Sequence, residues 1–122
     1  MGPKFIRIAV VYLFIGACVG LGMGMAQQFT LAPVHAHLLL LGWASMALAG
    51  LIYHWYPTAG TTRLARVHFW LHNLALPVFM VALGCFLSGV TTAMPFVAGA
   101  ATIMLIGLAL FAANVIMNVK AA

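Results

Sequence analysis

The chain has 122 residues, 66% of them hydrophobic and 4% charged, with five Lys or Arg, five His and no Asp or Glu. A mean hydropathy of +1.20 excludes a soluble globular domain, and five scattered positive charges exclude a nucleic-acid surface. The lipid bilayer is the first partner that the composition names.

Crossing a bilayer takes roughly 20 apolar residues in a helix, and four runs are long enough: residues 5–26, 34–56, 64–88 and 92–117. None alternates with period two and each is too long for a barrel strand. The expected fold is therefore all-α: a single integral membrane domain over 1–122, built as a four-helix bundle.

The first run follows Lys4 and Arg7 and carries Gly16, Gly20 and Gly24 at four-residue spacing. Such a strip admits close approach by another helix or by a flat ring. The second run, "VHAHLLLLGWASMALAGLIYHWYP", sets His35 and His37 at its head and His54 near its tail. Arg63 and Arg66 flank the start of the third, which places His68 and His72 one turn apart and then meets Pro77. The fourth starts at Pro95 behind Thr91 and Thr92, an ordinary helix opening. Cys18 and Cys85 fall at depths differing by about 10 Å at 1.5 Å rise per residue, so free, buried thiols are expected.

All five basic residues lie on one side of these spans, and the loops "QQFTLAP" and "GVTTAMP" carry none. The positive-inside rule then puts both termini in the cytoplasm, which suits a multi-pass protein of a bacterial-type inner membrane. His35 and His37 become outer-side residues, with His54, His68 and His72 in the inner half.

Ionisable side chains inside a membrane are costly and mark function by default. Five histidines without a carboxylate cannot form a carboxylate proton relay, but neutral imidazole coordinates metal. Thiolate clusters for iron–sulfur centres are absent, and a zinc enzyme wants about three convergent ligands. Haem b asks only for one or two axial imidazoles and an apolar slot, and is the better fit. His35 and His37 lie ~200° apart around a helix and cannot share one iron. An alternative site on the inner side combines His54 with His68 or His72, with Arg63 and Arg66 placed to pair with haem propionates.

The second run together with "RVHFWLHNLALPVFMVALG" resembles the tenth and eleventh helices of subunit I of haem-copper oxidases, over about half the chain. In that family a His-x-His pair opens the tenth helix near the outer face, and the helix ends in a His-aromatic-aromatic-Pro turn. His35-Ala36-His37 and His54-Trp55-Tyr56-Pro57 occupy those places here. The resemblance implies that His35 matches the ligand of the high-spin haem and His37 that of the low-spin haem, while His54 and His68 match positions that ligate nothing. The second span is also similar to the low-spin-haem helix of nitric oxide reductases, with Trp43 following the histidines. The three further histidines of the family's copper site have no counterparts in the first and fourth runs, and the outer loops lack the family's propionate-holding arginines.

The expectation is a haem b membrane protein engaged in electron transfer or diatomic-gas binding, with His37 and then His35 as iron ligands and no gas-reducing turnover by this chain alone. A homodimer would supply a second axial His37 across a two-fold axis, with Met23, Met25 or Met94 as alternative ligands, and a respiratory electron donor or acceptor would complete its partners. Two other functions fit the same sequence: a haem-free structural or assembly subunit of a respiratory complex, and a gas reductase completed by a partner chain.

Overall fold

The computed structural model describes residues 1–121, and no strand occurs among them. Four helices are long and apolar enough to cross a membrane: α1 (Gly2–Ala26), α2 (Ala32–Trp55), α3 (Arg63–Leu87) and α4 (Met94–Asn118). The chain is a multi-pass, all-α four-helix bundle.

Local chemistry sets the boundaries. Proline stands in the first turn of α1, α2 and α4, where a missing N–H costs nothing. The α3 start is capped by Thr62, whose Oγ1 accepts from the Ala65 N–H at 3.0 Å. α1 closes on Gln27 in the left-handed region at φ 51°, with its N–H returned to Met23 O. Pro57 ends α2 by forcing Tyr56 out of helical geometry, and one short turn, Pro57–Gly60, leads toward α3. Gly89 makes the α3–α4 turn at φ 106°, where a side chain would be strained.

The start of α1 and the end of α4 both come to the end of α2 and the loop that follows it. A side chain at Gly2 would collide with the Gly50 carbonyl and with His54, so α1 begins against the end of α2. Thr58 Oγ1 donates to Asn118 O at 2.9 Å, which brings the end of α4 to the same loop. Lys4, Arg7, Arg63, Arg66 and Lys120 thus gather at one end of the bundle, the basic end. The 27–31 and 88–93 loops form the other, neutral end.

α1 packs along α2, and α3 packs along α4. Phe5 locks the two pairs together at the basic end, fully buried with its ring edge-on to Phe69 of α3 at 5.1 Å. From Arg7 at the basic end toward Val34, an open and mostly apolar groove of about 630 Å³ runs between α1, α2 and α3, walled by Val11, Ile15, Leu38, Met80 and Val81.

Two features depart from expectation. Cys18 and Cys85 are free, as expected, but both are exposed on the bundle's outer surface rather than buried. Apolar neighbours line both faces of a membrane helix, so sequence does not reveal which face meets lipid. The second departure is a π-helical stretch, Leu38–Ala44, in the middle of α2. There the Ser45 N–H reaches back five residues to Leu40 O instead of four to Leu41 O.

Candidate functional site: a closed histidine pair and an open one

His68 and His72 lie one turn apart on the face of α3 that enters the core, and both are essentially fully buried. His72 Nε2 stands 2.8 Å from Leu41 O, the carbonyl that Ser45 passes over in the π turn. A carbonyl only accepts, so His72 carries its proton on Nε2 and offers Nδ1 as acceptor. His68 Nε2, 3.3 Å from that Nδ1, must then be a donor. His68 Nδ1 is left to accept from the Tyr53 hydroxyl at 3.0 Å. One carbonyl thereby fixes every proton along the chain Tyr53–His68–His72–Leu41.

No ring nitrogen of this pair remains free. Both faces of His68 are covered as well, by Phe5 at 5.1 Å and Phe111 at 4.9 Å in near-parallel stacks. Beside Tyr53, fully buried Asn114 donates to Ala59 O at 2.9 Å and accepts from Thr62 Oγ1 at 3.0 Å and Asn118 Nδ2 at 2.8 Å. Every buried polar side-chain atom among the described residues has a hydrogen-bond partner.

His35 and His37 are held differently. His35 Nδ1 donates to Gly16 O across the α1–α2 interface at 2.7 Å, and His37 Nδ1 donates to Pro33 O, one turn back, also at 2.7 Å. Each imidazole therefore keeps Nε2 as its lone-pair nitrogen. The His35 ring lies where a Gly20 side chain would be, with Cε1 2.6 Å from the position of a Cβ there. Gly16 likewise makes room for Leu39, so two of the three glycines of the α1 strip receive α2 side chains, while Gly24 faces open space. The His37 ring meets Phe79 of α3 edge-on at 5.3 Å.

Around α2 the two histidines fall on either side of Val34, ~100° one way and ~60° the other. Val34 and Leu38 line the open groove, whereas the His35 ring turns into the α1–α2 interface and the His37 ring toward Phe79 of α3, and neither forms part of its wall.

The remaining sequence candidates lie at the basic end. His54 is exposed on α2 with its ring against Trp55, and Tyr53, its neighbour in sequence, is the residue that reaches His68. Arg63 and Arg66 are exposed in the first turn of α3. Among the described residues, no three His, Cys, Asp or Glu side chains converge as a metal site. Sequence reasoning did not single out Tyr53, Asn114 or the Leu41 carbonyl. The four-residue spacing of Asn114 and Asn118 in an apolar run was the available signal for the amide cluster.

No protein-family model, curated protein or solved structure matches the chain.

Proposed function

We propose that the chain is a haem b-binding protein related to the haem-copper oxidase core, serving electron transfer or diatomic-gas binding. One observation carries this reading: in His35 and His37, Nδ1–H is bound to a backbone carbonyl and Nε2 keeps its lone pair. Metal-ligating histidines are almost always oriented in this way, because the outer hydrogen bond fixes the tautomer and raises the basicity of the ligating nitrogen. The donor chemistry fits an axial imidazole at His37 and at His35. It does not fit at His68 or His72, whose nitrogens are all engaged.

When bound, haem supplies one-electron chemistry, and the side chains here hold, orient and shield it. The groove walled in part by Val34 and Leu38, neighbours of the two histidines on α2, offers apolar surface for a porphyrin body. Sidedness belongs to the same proposal: the basic end faces the cytoplasm of a bacterial-type inner membrane, and the His-x-His pair lies toward the outer face. A homodimer bringing a second His37 would complete a low-spin iron, and a respiratory donor or acceptor would exchange electrons with it.

The haem-free assembly subunit is the second reading, favoured by the openness of the groove, which a partner helix could occupy. The reduced-minus-oxidised visible spectrum of protein purified with ample haem separates the two readings. A b-type spectrum lost in His37→Ala supports haem ligation. Featureless protein that co-purifies with a respiratory complex supports the assembly reading.

A further inference from the structure

The π turn in α2 has no local sequence cause, but it is gripped from both sides. From α1, Tyr12 presses on Gly42 so closely that a Cβ at residue 42 would stand 2.6 Å from Tyr12 Cβ and Cγ. From α3, His72 Nε2–H binds Leu41 O at 2.8 Å, the acceptor that an α-helix would give to the Ser45 N–H. The two acceptor assignments compete: if Leu41 O returns to Ser45, His72 loses its partner, and if His72 keeps it, Ser45 must reach Leu40.

A π turn is one residue's worth of extra backbone inside an α-helix. Relaxing it to α geometry rotates everything on its N-terminal side by ~100° and moves it ~1.5 Å relative to the rest of the helix. His35 and His37 stand immediately on that side, at the end of the α-helical turn Ala32–His37. A rotation of that size would take the His35 ring off Gly20 and Gly16, and His37 off Phe79.

We infer that His72 is a positioning residue: its hydrogen bond to Leu41 O holds the π register of α2 and thereby sets the direction in which His35 and His37 present their free nitrogens. The inference deepens the haem reading and rests on it for its functional meaning, while the register itself is a property of the apoprotein. Tyr53 and His68 complete the device. With the Leu41 carbonyl holding the proton on His72 Nε2, Nδ1 accepts from His68, which in turn accepts from Tyr53.

The test uses a cross-link that needs no haem. In full-length protein with Cys18→Ser and Cys85→Ser, the pair Gly20→Cys and His35→Cys should oxidise readily to a disulfide, because these positions face one another in the π register. His72→Leu should suppress that cross-link at least tenfold in rate. His72→Gln, which keeps a side-chain N–H of similar reach, should restore it. Deleting Leu40, a lipid-exposed residue of the π turn, removes the extra backbone, so in that background the cross-link should form even with His72→Leu. In a second arm the cysteine-free protein with His35 intact is loaded with haem b, and His72→Leu should alter the absorption and paramagnetic signature of the iron while the Leu40 deletion restores it. A cross-link indifferent to His72→Leu overturns the inference, as does loss that neither His72→Gln nor the deletion rescues. A His72-dependent cross-link in a protein that never takes up haem keeps the register device and overturns the haem reading instead.

Discussion

The basic and neutral ends of this bundle treat histidine in opposite ways. At the basic end His68 and His72 use all four ring nitrogens inside the protein, and Phe5 and Phe111 close over His68. At the neutral end His35 and His37 each spend one nitrogen on a carbonyl and keep the other, beside an open apolar groove. A buried imidazole is therefore uninformative until its nitrogens are counted. A fully paired one rigidifies the core, and a half-paired one keeps a lone pair free to accept.

That contrast predicts separable losses. At the closed end the loss should be stability: His68→Leu orphans the Tyr53 hydroxyl and His72 Nδ1 in a region sealed by Phe5 and Phe111. Average intramembrane hydrogen bonds are worth only ~0.6 kcal/mol, because the unfolded reference finds other partners, but two groups stranded together should cost about 2–3 kcal/mol. Denaturation in mixed detergent micelles measures it. A cost below ~0.5 kcal/mol would mean that water or a rearranged partner reaches the site.

Gly42→Val should come next, at about 2 kcal/mol, because Tyr12 Cβ and Cγ sit near their own backbone and cannot swing away from the added side chain. Tyr12→Ala in the same chain should recover part of that loss, which a purely local effect on the π turn would not allow. Tyr53→Phe should cost less, about 1 kcal/mol, since it leaves a single acceptor, His68 Nδ1, unpaired. The same micelle titration ranks all three.

How far the molecule was legible in its sequence follows from which forces are local. The four long apolar helices were legible, since length, hydropathy, proline at helix starts and the Thr62 cap act over neighbouring positions. The pairing of His68 with His72 was legible from the one-turn spacing. The identity of the next member was not: His54 was the reasonable choice, and Tyr53, ~100° round the helix, is the residue that faces α3. The π turn was invisible because "LLLLGWA" is apolar throughout and carries no period to break; its causes, Tyr12 and His72, lie on two other helices. The groove needed tertiary structure too, since its walls come from three spans.

The largest effect on haem should accompany only a small effect on stability. His37→Ala removes one hydrogen bond to Pro33 O near the start of α2 and an edge contact with Phe79, at a site only partly buried, so the fold should lose under ~1 kcal/mol. It also removes a free Nε2 that no other group at that position replaces, so most b-type absorption should go with it. His54→Ala is the matched control: an exposed imidazole at the opposite end, resting on Trp55, whose loss should move stability by no more than ~0.5 kcal/mol and leave the spectrum unchanged. The two variants share a substitution and a helix and differ in which end they sample. Titrating haem into each apoprotein, with the micelle unfolding curve of the same preparation, reads both quantities at once. Parallel loss of stability and absorption in His37→Ala would show that His37 acts as a core residue, and absorption lost equally in His54→Ala would move the iron to the basic end.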